Sequence, residues 1–203
     1  VAARRGDVGR NRLFLGKAVQ IMWAARFGTG ARQAASAEGL RADDRADLVA
    51  VDNLTQQQYT DIMTGKITNW KEVGGKDQKI TLIHRSKSSG SRATIAEVVL
   101  KNAAFTDNAV IQDSNGAVRA AIASTPGAIG YVDAAYVDDS IKALAYNGVK
   151  YSIDGVVNGQ YPVFTFGRMF TKGEPTGAIK AFIDFVTSKE FQESYAEKNG
   201  FVP

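Results

Sequence analysis

The sequence contains no cysteine and only one histidine, His84. The lack of cysteine excludes disulfides and thiolate metal sites. A single histidine excludes metal clusters built from several histidines and disfavours a catalytic relay through imidazole. Prolines number only four, and no stretch approaches the eighteen or so apolar residues of a transmembrane helix. These absences predict an ordinary globular chain that uses no metal and no cofactor.

Positive charge is in slight excess and is unevenly distributed. The net charge is +4 at pH 7, which mildly favours an anionic partner. Eight of the twelve arginines lie in residues 1–45, whereas twelve of the thirteen lysines follow residue 65. No basic stripe interleaved with aromatic residues comes after the arginine-rich segment. We therefore expect no nucleic-acid partner.

The first fifty residues differ in kind from the rest of the chain. Gly16–Leu48 is rich in alanine and weakly periodic, and a stretch such as Ala24-Ala25-Arg26 has helical propensity without an apolar stripe. Two explanations stay open: an arginine-biased surface helix or linker, or an out-of-frame translation of a GC-rich gene over roughly residues 10–48. Reading the other two frames of the coding DNA distinguishes them, because featureless frames would exclude the second.

From Val51 onward the sequence alternates between strand and helix patterns. Thr55 and Gln58 predict an N-cap with a capping box for a helix that ends at Gly65. We expect strands at Lys79–His84, Val110-Ile111, Ala128–Val132, Ile141–Ala145 and Val163–Phe170, and helices after Arg92, at Ala117–Ser124, at Gly177–Thr187 and from Ser188 to Gly200. This alternation predicts an α/β fold with a largely parallel sheet.

The junction Arg85–Arg92 is the segment whose residues indicate chemistry. A Ser/Gly-rich loop at a helix start leaves backbone N–H groups pointing one way, and the helix dipole adds positive potential there. Ser89 and Ser91 add hydroxyls, and Gly90 permits close approach of the backbone. Arg85 can supply a bidentate fork to a tetrahedral oxyanion. The junction is therefore a candidate anion site.

Each of these residues also has a structural explanation. Serine is a common N-cap, an arginine at a strand end is usually solvated, and the Gly-Lys-Thr/Ser ending of a Walker loop is absent. We expect His84 to be a packed structural residue, Trp70 a core anchor and Arg119 a surface charge. Asp113 and Asp133 are too isolated to indicate a metal site.

Several long motifs resemble a known family. They are Asn53-Leu54-Thr55, the segment Ile62–Gly75, Arg85 with Ser89-Gly90-Ser91-Arg92, Thr125–Val132, and the ending Gly200-Phe201-Val202-Pro203. With these motifs in this order, Val51–Pro203 resembles the phosphate-binding subunit of ABC-type phosphate importers.

The resemblance implies a two-lobed, type II periplasmic-binding-protein fold, α/β with mixed, mostly parallel sheets and an incomplete first lobe. Residues 1–50 would be a remnant of lobe 1, 51–160 lobe 2 with the anion-binding loop, and 161–203 the return strand and C-terminal helices that complete lobe 1. The resemblance also implies that the phosphate ligands of lobe 2 are Arg85, Ser89, Gly90 and Ser91.

Two positions depart from the family pattern. Lys87 stands where many relatives carry an acidic or amide residue that orients the arginine. Arg12 stands where relatives usually place a ligand Asp or Ser, so we carry over no ligand from residues 1–50. With that half of the shell unrecognised, weak or absent binding is expected of this chain.

The function implied by the resemblance is capture of inorganic phosphate by a monomeric, non-enzymatic receptor. It would work outside the cytoplasm as a secreted lipoprotein, lipid-anchored through a segment outside this chain, and would deliver phosphate to the membrane permease of an ABC importer. Two alternatives stay open. One is a structural or signalling relative that has lost the ligand. The other is a phosphoryl-handling enzyme, for which the sequence lacks a Walker lysine and paired carboxylates near the loop.

Overall fold

The computed structural model describes residues 13–25, 50–136, 138–199 and 201–202. The chain divides into two compact units: one is Val19–Phe164, and the second combines Val1–Ala18 with Thr165–Pro203. The lobe boundaries expected at residues 50 and 160 stay predictions. In the described ranges, no helix is both long and apolar enough to cross a lipid bilayer.

Strands and helices alternate along the chain, as expected from residue 51 onward. The strands are β1 (Leu13–Ala25), β2 (Asn53–Leu54), β3 (Thr81–Arg85), β4 (Val110–Gln112), β5 (Ala128–Asp133), β6 (Ile141–Ala143), β7 (Ala145–Tyr146), β8 (Phe164–Met169) and β9 (Phe201–Val202). The helices are α1 (Gln56–Met63), α2 (Gly90–Thr94, continued by a π-helix over Ile95–Val99), α3 (Asn115–Ser124), α4 (Ile153–Val157), α5 (Gly177–Val186) and α6 (Lys189–Phe191, continued by a π-helix over Gln192–Ala196). Short 3₁₀ turns lie at Trp70–Val73, Ala134–Tyr136 and Glu197–Asn199.

The larger unit is built on a mixed sheet with strand order β4-β3-β5-β1-β6. Strand β3 runs parallel to β4 and to β5, whereas β1 runs antiparallel to β5 and β6. The carboxyl ends of β3, β4 and β5 therefore share one edge of the sheet. In open α/β sheets that edge is where ligands bind.

Strand β1 corrects one expectation from the sequence. Ala24 and Ala25, which have helical propensity, lie in this strand and pair with Lys142 and Ile141. Pairing with β5 and β6 outweighs the local preference, because propensity is a weak prior that tertiary contacts override. The rest of the arginine-rich segment, including Arg12 and residues 26–49, lies outside the described residues.

The core of the larger unit is closed by α1 and the turn at Trp70. The capping box of Thr55 and Gln58 is confirmed, and Tyr59, Ile62 and Met63 of α1 are fully buried. Trp70 is a core anchor, as expected, and its Nε1–H donates to the Gly127 carbonyl at 2.9 Å. This hydrogen bond ties the turn at Trp70 to the residue that precedes β5.

Two element boundaries differ from those expected. Helix α3 begins at Asn115 rather than Ala117, because Ser114 caps it by accepting from the Ala117 N–H. The single strand expected over Ile141–Ala145 is two strands: β6 pairs with β1, and β7 pairs with β2. The turn at Asn147-Gly148 is confirmed, with φ values of 50° and 81° that suit a tight hairpin.

The smaller unit gathers the C-terminal elements. Strands β8 and β9 pair with β1, with Lys17 opposite Val202. Ser188 caps α6 by accepting from the Phe191 N–H, as expected. Ile183 and Val186 of α5 are buried, whereas Phe182 on the same predicted face is 59% exposed.

Candidate functional site

Arg85 is the last residue of β3 and lies at the edge of the sheet that is formed by the carboxyl ends of β3, β4 and β5. Its Nη1 donates to Asn115 Oδ1 at 2.9 Å, and its Nη2 donates to the Asp113 carbonyl at 3.1 Å. The Arg85 backbone N–H is 3.3 Å from the Tyr131 hydroxyl, which accepts from it. A guanidinium has more N–H donors than these two side-chain contacts use, so Arg85 is held in place with donor capacity to spare.

Helix α2 begins directly after the loop that follows Arg85. Ser89 is its N-cap: the Ser89 hydroxyl accepts from the Arg92 N–H at 3.3 Å. The Ser89 N–H donates to the Ser86 carbonyl at 3.0 Å. The unpaired backbone amides expected at this helix start therefore begin at Gly90. Within the described chain, the N–H groups of Gly90 and Ser91 have no protein acceptor, as in the first turn of any helix.

The space in front of Gly90 is open. A Cβ atom built there would meet no heavy atom within 4 Å, and the residue is exposed. Gly90 is therefore not required by packing within the protein. The space on the Cβ side of its backbone is open.

A carboxylate links the two helix starts. Asp133, at the end of β5, accepts from the Ser91 hydroxyl at 2.9 Å through Oδ1 and from Asn115 Nδ2 at 2.8 Å through Oδ2. Asn115 is buried, with 9% of its surface exposed, and its side chain bridges Asp133 and Arg85. The chain Ser91–Asp133–Asn115–Arg85 thus joins α2, β5, α3 and β3 at one end of the sheet.

Arg92 and His84 pack against the residues of the junction and against Phe105. Arg92 Nη1 donates to the Arg85 carbonyl at 2.8 Å, and its guanidinium lies 4.2 Å from the centre of the Phe105 ring. His84 is fully buried and packs edge-on against Phe105 with ring centres 4.8 Å apart. The expectation that His84 is a packed structural residue is confirmed.

Burial sets the protonation of the two rings behind the loop. Burial, with a smaller contribution from the Arg92 charge, lowers the pKa of His84 from 6.5 to about 4. Burial raises the pKa of Tyr131 to about 12, and the hydrogen bond from Arg85 opposes that shift. Both rings are therefore neutral at pH 7, and the positive charge near the loop comes from Arg85, Arg92 and the exposed Lys87.

The structure brings Arg85 and Ser91 into one network, with Ser89 and Gly90 in the same turn. Lys87 is exposed, and Asn115 rather than the second residue after the arginine fixes the guanidinium. Sequence reasoning missed Asn115 and treated Asp133 as isolated. Their positions in the sequence could have indicated a role. Asn115 follows β4 and Asp133 ends β5, and both strands lie next to β3 in the sheet.

Two other charged residues lie where the sequence suggested. Arg119 is a surface charge, paired with Asp138 at 2.8 Å. Asp113 is exposed and contributes its backbone carbonyl, not its carboxylate, to Arg85. Asp113 belongs to no group of three or more potential metal ligands among the described residues.

The arrangement is suited to an oxyanion. It offers a fixed guanidinium, two helix-start amides and a hydroxyl at the carboxyl end of parallel strands, and these are donors that bind oxyanions. A family model described as the PBP superfamily domain matches residues 41–190. The chain belongs to the PBP superfamily. This membership and the observed α/β architecture confirm the fold expected from the motifs.

Two kinds of relative support this membership. A protein named phosphate-binding protein PstS from Bacillus subtilis (strain 168) is 43% identical over 154 residues, which are 75% of this chain and 51% of that protein. The chain thus spans about half the length of this relative. The motif-based resemblance to importer phosphate-binding subunits is confirmed by this similarity.

Solved structures give the same fold. A structure with bound phosphate from Clostridium perfringens, assigned as a phosphate ABC transporter substrate-binding protein, has a TM-score of 0.75 and 29% identity, and the match covers 95% of this chain and 72% of that one. An ABC-type phosphate transport receptor from Vibrio cholerae has a TM-score of 0.74 at 21% identity, covering 100% of this chain and 77% of that one. At that identity the second match supports the fold alone.

Proposed function

We propose that this PBP-superfamily chain binds inorganic phosphate, with Arg85, Ser89, Gly90 and Ser91 as ligands. The observation that carries the proposal is the fixed guanidinium of Arg85 in one hydrogen-bonded network with the start of α2. A charged fork and helix-start amides replace the hydration of an oxyanion better than either does alone. The name of the Bacillus subtilis relative and the phosphate in the Clostridium perfringens structure favour phosphate among the oxyanions.

The biological role we propose is delivery of phosphate to the permease of an ABC importer. The chain would act as a monomeric receptor outside the cytoplasm, with a lipid anchor supplied by a segment outside this chain and no nucleic-acid partner. The proposal of an importer rests on the transporter named for the Clostridium perfringens structure. We further propose that the chain performs no chemistry on its ligand. Incubation with a phosphomonoester should release no phosphate, and steady release would contradict this part.

Titration calorimetry on Arg85→Ala tests the assignment of the ligands. Removing the guanidinium should weaken phosphate binding by about 2–5 kcal/mol, because the anion loses its charged, hydrogen-bonded partner. Arg119→Ala is the matched control, since Arg119 pairs with Asp138 on the surface and should leave the affinity unchanged. Circular dichroism verifies that both variants fold. Equal affinities of Arg85→Ala and the unmodified chain would overturn the assignment.

A further inference from the structure

Asparagine followed by glycine occurs four times in the chain, at positions 115, 147, 158 and 199. This dipeptide deamidates spontaneously, because glycine has no side chain to block attack of its backbone nitrogen on the asparagine carboxamide. The attack requires a carboxamide that turns toward that nitrogen and a backbone N–H that base can reach. The structure describes both residues of the first three pairs, and the surroundings of these pairs differ.

At the first pair, the Asn115 carboxamide is fixed on both sides. Asn115 is buried, its Oδ1 accepts from Arg85 at 2.9 Å, and its Nδ2 donates to Asp133 at 2.8 Å. Turning the carboxamide carbon toward the Gly116 nitrogen would break both bonds. Both residues also lie in α3, so the backbone rotation that the reaction needs would disrupt the first turn of this helix. The fold therefore protects Asn115.

At the second pair, each reacting group has a hydrogen-bond partner from a distant part of the chain. Asn147 Oδ1 accepts from the Gln56 N–H at 2.7 Å, and the Gly148 N–H donates to Asn53 Oδ1 at 2.6 Å. Asn147 is exposed, so access of solvent does not protect it. Protection comes from the two bonds, because both must break before the Gly148 nitrogen attacks.

The third pair lacks these restraints. Asn158 is the C-cap of α4, and both Asn158 and Gly159 are exposed. The Asn158 carboxamide makes no hydrogen bond with the described part of the chain. The Gly159 N–H donates to the Val156 carbonyl at 3.3 Å, which is long for a bond of this type. The carboxamide is therefore free to turn, and only a weak contact holds the attacking nitrogen.

We propose that Asn158 is the site at which the folded chain deamidates first, a modification that is independent of phosphate binding. The Gly159 nitrogen loses its proton to base and bonds to Asn158 Cγ. The Cγ–Nδ2 bond breaks, and Nδ2 leaves as ammonia with a proton from solvent. The five-membered succinimide then takes up one water molecule. Opening at Cγ gives aspartate and opening at the backbone carbonyl gives isoaspartate, with no oxidation or reduction in either case.

The experiment is incubation of the folded chain at pH 9 and 37 °C in ¹⁸O-labelled water, with peptide mapping by mass spectrometry over time. Each event adds one negative charge to a chain whose net charge is +4, so ion exchange separates the modified chain. The rate at Asn158 should exceed the rates at Asn115 and Asn147 by roughly tenfold or more, as expected where no strong hydrogen bond must break. A rate at Asn158 no higher than at these two sites, or no reaction at all, would overturn the proposal.

Two variants and a denatured sample serve as controls. Asn158→Gln should remove the fast phase of ammonia release, because glutamine closes the corresponding ring far more slowly, and Asn147→Gln should leave that phase unchanged. In guanidinium chloride the three sites should react at similar rates. If Asn158 kept the same lead in the unfolded chain, neighbouring residues rather than the fold would select it, and the proposal would fail.

Asn53→Ala tests the physical reason for the ranking. Without the Asn53 side chain, the Gly148 N–H loses its acceptor, so the rate at Asn147 should rise several-fold. The rate at Asn158 should stay the same, since its groups have no bond to Asn53. An unchanged rate at Asn147 in the folded variant would contradict protection through this hydrogen bond.

Discussion

At the scale of single residues, Asn115 orients the Arg85 guanidinium. Its carbonyl oxygen accepts from the guanidinium and its amide nitrogen donates to Asp133, so the side chain has one orientation that satisfies both partners. Lys87 has no such role, because it is exposed on the loop. The arginine is therefore oriented by a residue thirty positions away in sequence.

Gly90→Ala should have opposite effects on stability and on binding. A methyl group at this position meets no protein atom within 4 Å, so it introduces no clash. Because alanine lowers the entropy of the unfolded chain, the free energy of unfolding should rise by about 0.5 kcal/mol. In the proposed site the same methyl would crowd an anion bound at the Gly90 amide. Phosphate affinity should fall by about tenfold or more, equivalent to 1.4 kcal/mol. Thermal unfolding and calorimetry measure the two effects.

Gly116→Ala is the control for this pair of measurements. Gly116 also lies in the first turn of its helix, and its Cβ would meet only the Ser114 hydroxyl oxygen at 4.0 Å. It should give a similar gain in stability with phosphate affinity unchanged. A Gly90→Ala variant with unchanged affinity would contradict the assignment of that amide.

His84 should make the folded state sensitive to acid. Its pKa is about 4 when folded and 6.5 otherwise, so between these values the unfolded chain binds a proton that the folded chain does not. The contribution of neutral His84 to the free energy of unfolding is fully present above pH 6.5 and is lost as the pH falls toward 4. Urea unfolding at pH 7 and pH 4.5 should show a loss about 2–3 kcal/mol larger in the unmodified chain than in His84→Phe.

The single histidine makes this comparison clean, since the carboxylates titrate alike in both proteins. His84→Phe keeps an aromatic ring against Phe105. Parallel pH profiles for the two proteins would show that the His84 ring takes up its proton equally in both states.

At the scale of elements, local signals predicted the elements that depend on local contacts. The capping box of α1 is an example, because Thr55 and Gln58 satisfy each other's backbone groups within one turn. The division of Ile141–Ala145 into two strands was not predictable in this way. Its residues pair with β1 and β2, which are distant in sequence, and no property of the five residues shows which partner each will have.

Asn115 and Asp133 escaped prediction for a related reason. Asn115 followed by Gly116 has the composition of a turn, yet the Ser114 cap draws both residues into α3. Asp133 acquires its role only from the order of strands, which places it beside Ser91 and Asn115. Sequence patterns found the residues of the loop but not the residues that orient them.

Thr55→Ala tests whether the cap stabilises α1 as its geometry indicates. The Thr55 hydroxyl accepts from the Gln58 N–H, and its loss should reduce the free energy of unfolding by about 1 kcal/mol. Thr125→Ala is the control, since the Thr125 side chain makes no hydrogen bond with the described residues and should change stability by less than about 0.5 kcal/mol. Urea denaturation measures both. Equal effects in the two variants would refute the capping contribution.

At the scale of the whole molecule, the net charge of +4 attracts anions without choosing among them. Selection has to come from the edge of the sheet where β3, β4 and β5 end and two helices begin. The dipole of α2, the Arg85 guanidinium and the loop hydroxyls act together there. Sequence motifs identified this edge because the loop between β3 and α2 carries several of its groups consecutively.

The most direct test of this account is the response of the Gly90 and Ser91 amides to phosphate. We predict that ¹⁵N-labelled chain shows saturable shifts of these two resonances during a phosphate titration, and that Arg85→Ala weakens the response. Sodium chloride at equal ionic strength provides the control. Shifts at Gly90 and Ser91 no larger with phosphate than with chloride would contradict the proposal that this helix start and Arg85 bind phosphate.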